Sequence, residues 1–160
     1  MKEILICYYS RSGTTEDMAG KIAKGVRECS VEANVEVKKV EETDADELLN
    51  YDALVFGSPT YYGLPAAELK ELIDESVAHH GDLDGVVGGA FASSANTGGG
   101  NETTIIGLLE ALLIHGMVIQ GDPEGDHYGP VVVGDPKEEE IEQCKRYGKR
   151  IAELTEKVRG

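Results

Sequence analysis

Cysteine is scarce and scattered: Cys7, Cys29 and Cys144 are the only three, and no two of them form a C-x-x-C pair. An odd, dispersed set argues against a disulfide framework and against a cysteine-held metal or iron–sulfur centre. Reduced, packed thiols and no metal are expected. Positive charge is also short. Fifteen lysines and arginines face 30 aspartates and glutamates, for a formal charge of −15 and a pI near 4.6. Such a surface repels nucleic-acid phosphates and anionic lipid headgroups, and it attracts a basic docking partner. A solvated acidic shell with no steering role accounts for the charge equally well. Proline is the third shortage, with 5 against 20 glycines, which predicts many tight turns and no proline-rich linker. No apolar run reaches the ~20 residues that a membrane-spanning helix needs. Met1-Lys2-Glu3 leads straight into a short strand with no signal-peptide pattern, so the expected location is cytoplasmic.

What remains is enough for one full core. With 160 residues, 41% of them hydrophobic, the chain reads as a single domain over residues 1–160, without internal repeats or low-complexity tracts. Apolar runs alternate with helical periods. Residues 2–9 are apolar nearly throughout, as suits a central parallel strand buried on both faces. Residues 16–29 place Met18, Ile22 and Val26 four apart, an amphipathic helix. Residues 31–40 read as a half-exposed edge strand, with Val35 and Val37 separated by charge and Lys38-Lys39 following. A short acidic helix or turn over 44–50 precedes a third apolar run at 53–56. Residues 66–76 carry Leu69, Leu72 and Ile73 at helical spacing. A fourth strand over 86–92, a long helix over 102–114 and a fifth strand over 117–120 follow, and Val131-Val132-Val133 continues the fifth strand. The last helix is expected to start from Asp135 as N-cap, with Pro136 as its first residue and Glu138 completing a capping box. Ile141, Cys144, Ile151, Leu154 and Val158 would line its buried face.

Strands alternating with helices predict an α/β domain with a doubly wound parallel sheet. In such sheets ligands sit at the carboxyl ends of the strands, where strand order reverses. The loops after the first, third and fourth strands all have special composition, and all would lie along that edge. Tyr8-Tyr9-Ser10-Arg11-Ser12-Gly13-Thr14-Thr15 leaves a strand and opens a helix. A helix N-terminus offers unpaired N–H groups and the positive end of the macrodipole, and the loop adds hydroxyl donors, so it suits a phosphate. A plain strand-to-helix turn with an N-cap serine carries a similar signal. Tyr61 and Tyr62 offer rings to a flat aromatic ligand, and Gly98-Gly99-Gly100 lets backbone N–H groups approach a ring edge. Either could instead serve the fold, one tyrosine covering the sheet edge and the glycines loosening the way into a helix. Other phosphate binders fail on spacing. Gly-x4-Gly-Lys-Ser/Thr is absent, no Gly-x-Gly-x-x-Gly follows the first strand, and Cys7 and Arg11 stand too close for a cysteine-phosphatase loop.

Four stretches in this order resemble the flavodoxin superfamily. They are Tyr8-Tyr9-Ser10-x-x-Gly-Thr-Thr, Gly57-Ser58-Pro59-Thr60-Tyr61-Tyr62-Gly63, the run from Ser94 to Thr103, and His115-Gly116-Met117. Within that superfamily they are similar to the WrbA-like NAD(P)H:quinone oxidoreductases, over nearly the whole chain. The resemblance implies a three-layer sandwich, with helices on both faces of a five-stranded parallel sheet in order 2-1-3-4-5. It also implies non-covalent FMN. By the family pattern Ser10, Arg11, Ser12, Gly13, Thr14 and Thr15 hold its phosphate. Pro59, Thr60, Tyr61, Tyr62 and Gly63 meet the ring from one loop, and Ser94, Ala95, Asn96, Thr97, Gly98 and Gly99 from another. His115 falls where the family has a histidine near the flavin; from the residues alone it reads as a helix C-terminal histidine favoured by the dipole.

The activity implied is transfer of two electrons from NAD(P)H to a quinone through flavin N5, with Tyr61, Tyr62, His127 and Tyr128 shaping the substrate face. The flavin carries the chemistry and no side chain is assigned as catalytic. Two other readings stay open: a flavodoxin-type carrier passing single electrons between protein partners, and a flavin-binding regulator without turnover. Three features depart from the WrbA pattern. Ser12 stands where an aromatic residue is frequent, Ala78-His79-His80 replaces the aromatic lid of the quinone pocket, and the insertions that build the family's homo-oligomer are short. FMN binding is untouched by them.

Overall fold

The computed structural model describes all 160 residues, Met1–Gly160. Its elements run β1 (Lys2–Tyr8), α1 (Thr14–Glu28), β2 (Ala33–Lys39), β3 (Ala53–Pro59), α2 (Ala67–Glu75), β4 (Val87–Ser94), α3 (Asn101–Ile114), β5 (Val118–Ile119), β6 (Val131–Val133) and α4 (Glu138–Arg159). All pairings are parallel and the order is β2-β1-β3-β4-β5, with β6 also pairing to β4. The expected 2-1-3-4-5 sheet is what forms, with β2 at an edge.

Side chains of the central strands alternate between two cores. Leu5, Cys7, Leu54 and Phe56 face α2 and α3, where they meet Leu69, Leu72, Ile105 and Leu108. Ile4, Ile6, Val55 and Phe91 face α1 and α4, where they meet Met18, Ile22, Cys144 and Ile151. The strands read as continuous apolar runs because both faces are covered. On the second face α1 and α4 pack so closely that only glycine fits at the crossing. A Cβ on Gly25 would strike the Lys145 carbonyl, and one on Gly148 the Ile22 carbonyl. Burial pushes the Cys7 and Cys144 thiols up to about 12, so both are packed, protonated and inert.

The fifth strand position is split. β5 pairs with Val87 and Gly88 and β6 with Ala92, Ser93 and Ser94, while residues 120–130 leave the sheet between them. Ala90 therefore has no strand neighbour on that side. Its N–H donates instead to the buried Tyr147 hydroxyl of α4, at 2.9 Å. That closes the gap without stranding a backbone donor.

The start of α4 differs from expectation. The chain stays extended through Lys137 (φ −103°, ψ 166°), and the helix begins at Glu138. The Glu140 carboxylate, not Glu138, accepts the N–H of the capping position, from Lys137 at 2.6 Å. Asp135 is thereby freed from capping and turns toward the carboxyl edge of the sheet. Val158 at the far end of α4 is exposed and does not join the buried face.

Candidate functional site

Because β1, β3, β4 and β6 are parallel, their carboxyl ends share one rim, and the loops that leave them form a cleft of ≈ 350 Å³. The first loop is set by Gly13, in the left-handed region at φ 104°, which turns the chain into α1 and donates its N–H to Ser10 Oγ at 3.1 Å. Ser10, Arg11, Ser12, Thr14 and Thr15 line the cleft, at the N-terminus of a 15-residue helix. Thr15 is buried, and its Oγ1 lies 3.0 Å from Ser93 Oγ, joining this loop to the end of β4.

The second loop is braced from below. Ser58 Oγ accepts the Ala66 N–H at 2.8 Å and donates to the Pro59 carbonyl at 2.7 Å. Thr60 N–H extends the β3–β4 ladder to Ser93 O at 2.8 Å. Tyr61 and Leu64 then exchange N–H···O bonds at 2.9 and 3.1 Å across a tight turn with Tyr62 at φ 51° and Gly63 at φ 75°. Two successive positive φ values are those of a type I′ turn, where a bulky residue is disfavoured. Tyr62 holds that conformation with its ring fully exposed. Tyr61 packs edge-on to Tyr9, ring centroids 6.4 Å apart.

The third loop hangs from Ser94, whose Oγ donates to Asn96 O and accepts from Asn101 Nδ2, both at 3.1 Å. Ser94 and Ala95 line the cleft, whereas Asn96, Thr97, Gly98 and Gly99 form its exposed lip. The second and third loops touch. Thr103 Oγ1 lies 2.7 Å from Gly63 O, and a Cβ on Gly100 would come within 2.6 Å of Gly63 Cα.

Three further residues outside the sequence motifs line the cleft: Ser93, Gly134 and Asp135. The signal for the last two lay in Val131-Val132-Val133 as a continued fifth strand, because its carboxyl end must reach the same rim. His127 and Tyr128 line a second cavity of ≈ 260 Å³ with Asn101, Glu102, Asp126 and Val131. The two cavities share a wall, since Ser94 of one is bonded to Asn101 of the other. The 121–130 loop on its outer side is clamped to α4. Arg146 grips Asp122 with two bonds, at 2.8 and 3.0 Å, and Arg150 donates to Gly121 O at 2.8 Å. The Arg146 bond holds the Asp122 carboxyl down at about 2, and burial raises Asp126 above the usual carboxylate range. His127 Nδ1 donates to Asp122 O at 2.7 Å, which fixes its tautomer.

His115 does not belong to this group. It closes the C-terminus of α3, a helix about 20 Å long, and so stands at the opposite edge of the sheet. There Ser76 donates its hydroxyl to Ile73 O at 2.6 Å, and His115 Nε2 donates to Ser76 Oγ at 2.8 Å. Burial, then His80 and His79, lowers its pKa and keeps it neutral.

The cleft fits a phosphorylated planar ligand on its own evidence. Thr60 Oγ1 and Tyr61 Oη are buried without a hydrogen-bond partner, and both residues line it. Buried polar atoms left unpaired in a cavity wall point to a partner that a ligand supplies. Hydroxyls, one guanidinium and a helix N-terminus at the other end suit a phosphate.

Fold and cleft together define a doubly wound α/β protein that binds its ligand at the switch point of a 2-1-3-4-5 sheet, the order for which flavodoxin is the type example. Residues 6–148 match the flavodoxin family, and the chain belongs to it. It is 34% identical to an NAD(P)H dehydrogenase (quinone) of Archaeoglobus fulgidus, over 99% of this chain and all of that one. It is 39% identical to a flavodoxin of Aquifex aeolicus, over 96% of this chain and 86% of that one. Among solved structures it superposes on a flavodoxin from the domain Archaea with a TM-score of 0.80 at 27% identity, covering 96% and 99% of the two chains. No helix is long and apolar enough to cross a membrane.

Proposed function

We propose that residues 1–160 form one FMN-binding domain and that the protein is an NAD(P)H:quinone oxidoreductase. The observation that carries this is the meeting of three loops on one hydroxyl-rich cleft whose wall holds the unpaired Thr60 Oγ1. Ser10, Ser12, Thr14 and Arg11 with the first turn of α1 would hold the phosphate. Thr60 and Tyr61 would face the ring from one side and the Ser94–Gly99 lip from the other. When bound there, FMN would supply the two-electron chemistry between a nicotinamide and a quinone.

The protein's share is position and access. Ser58 and Thr103 fix the two ring-side loops against each other, so the cleft needs little rearrangement on loading. The second cavity, with His127 and Tyr128 on its outer wall, leaves room beside the cleft for a second flat molecule. The test is anaerobic: NADH or NADPH should bleach the flavin of the loaded protein, and benzoquinone should then sustain turnover.

A carrier of single electrons is the second reading, favoured by the charge of −15 and by the likeness to the Aquifex flavodoxin. It predicts a flavin that dithionite reduces and nicotinamides leave untouched.

A further inference from the structure

Charge around the two cavities bears on which nicotinamide dinucleotide they admit. NADPH differs from NADH by a 2′-phosphate carrying roughly −1.5 to −2 at neutral pH. A site that accepts it needs a cation to meet it, and sites that discriminate for it supply arginine. The first cleft has a single lining cation, Arg11, opposed across the same lining by Asp135. Arg11 is the guanidinium that the FMN phosphate would take. The second cavity has no lysine or arginine; it has the carboxylates Glu102 and Asp126.

The arginines nearest that cavity are committed elsewhere. Arg146 bonds Asp122 through two nitrogens and lies 3.3 Å from Glu124, and Arg150 is shared between Gly121 O and Asp122. Lys137, just past Asp135, is followed in sequence by Glu138, Glu139 and Glu140. His127 already donates its Nδ1 proton to the Asp122 carbonyl. A 2′-phosphate approaching the second cavity thus meets carboxylates and no lining cation, on a chain of charge −15.

We infer that this rim selects a dinucleotide without a 2′-phosphate, NADH over NADPH, and that Glu102 and Asp126 are its specificity-determining residues. The inference rests on the quinone-oxidoreductase reading and sharpens it. The discrimination is repulsive, built by withholding a partner from the wrong ligand and not by adding contacts to the right one. It therefore depends on salt, because the Debye length falls from ~30 Å at 0.01 M to ~8 Å at 0.15 M ionic strength.

The experiment titrates NAD⁺ and NADP⁺ onto the FMN-loaded protein by calorimetry at 0.01 M and 0.15 M ionic strength, alongside the rates of flavin bleaching by NADH and NADPH. Binding of NADP⁺ should be weaker than that of NAD⁺ by about tenfold at low salt, and the gap should narrow at high salt. Glu102→Gln combined with Asp126→Asn should narrow it at low salt as well. The second of these changes keeps a side-chain oxygen to accept the Val131 N–H that now donates to Asp126 Oδ2, so the loop should hold its shape. Equal affinities at low salt, tighter NADP⁺, or a gap that ignores salt and the double substitution would overturn the inference while leaving the oxidoreductase reading in place. If neither dinucleotide binds or bleaches the flavin, the oxidoreductase reading itself fails and takes this inference with it.

Discussion

The two edges of this sheet are finished in different ways, and α3 connects them. At the carboxyl edge, Thr60 Oγ1 and Tyr61 Oη are buried without partners, and Tyr62 is held at φ 51° with its ring in solvent. At the amino edge the polar groups mostly satisfy one another. His115 bonds Ser76, Ser76 bonds Ile73, and His79 lies 2.7 Å from Asp46 and 3.8 Å from Asp82. One atom there, His115 Nδ1, is also unpaired, beside a wall of Leu48, Leu54, Phe56 and Ile73. The contrast teaches where stability has been given up. Unpaired hydroxyls in residues that line a cleft cost little when a ligand completes them, whereas an edge whose polar groups mostly satisfy one another serves the fold.

The sharpest way to break this contrast is a carboxylate at each edge. Thr14→Glu puts a negative charge in the first turn of α1, where the dipole tolerates it, so the protein should still fold. FMN affinity should fall by more than about a hundredfold, because the carboxylate meets the phosphate dianion. The exposed Val77 at the other edge, changed to Glu, should leave FMN affinity unaltered. Flavin fluorescence quenching reads both.

A smaller effect separates cost from use at a single atom. Thr60→Val removes a buried hydroxyl that has no partner, so the apoprotein should gain about 1 kcal/mol in chemical denaturation. The same change should weaken FMN binding by about tenfold. A variant that loses apo stability would show that the hydroxyl is already satisfied within the protein.

The clamp on the 121–130 loop should follow acid in a defined sense. Asp122 is depressed in the fold to about 2, so the stability it contributes is complete above the ordinary carboxylate pKa and is lost as pH falls from there through the folded value of about 2. Asp122→Asn should lower stability by about 1–2 kcal/mol at pH 7, and the loss should vanish toward pH 2.

The smallest effect belongs to the amino edge. His115 is lowered in the fold, so below the unfolded pKa of ~6.5 the unfolded chain takes a proton that the folded one resists, and stability declines with acid. His115→Gln should flatten that decline between pH 7 and 5 and leave FMN affinity alone. A change in FMN affinity with this variant, measured on the monomer, would contradict the separation of the two edges.

How much of this was legible in the sequence follows from what each signal encodes. Apolar runs and helical periods locate elements, and parallel topology then sends the loops after β1, β3 and β4 to one rim, so most of the cleft could be read from Ser10 to Thr15, Pro59 to Tyr61 and Ser94 to Ala95. A motif resemblance carries no direction and sets His115 near the flavin, whereas a helix that starts at the rim ends on the far side and carries His115 with it. Asp-Pro-x-Glu is a strong local pattern and points to Asp135 as an N-cap. The extended path from β6 through Lys137 outweighed it and moved the capping contact to Glu140. The clamp of Asp122 by Arg146 joins residues far apart in sequence, and no local pattern announces it.

The most direct test adds FMN to the apoprotein and follows flavin fluorescence, with riboflavin in parallel. One FMN per chain should be quenched and the complex should be yellow, while riboflavin, lacking the phosphate that the α1 loop would hold, should bind far more weakly. Undiminished fluorescence, or riboflavin binding as tightly as FMN, would contradict the account.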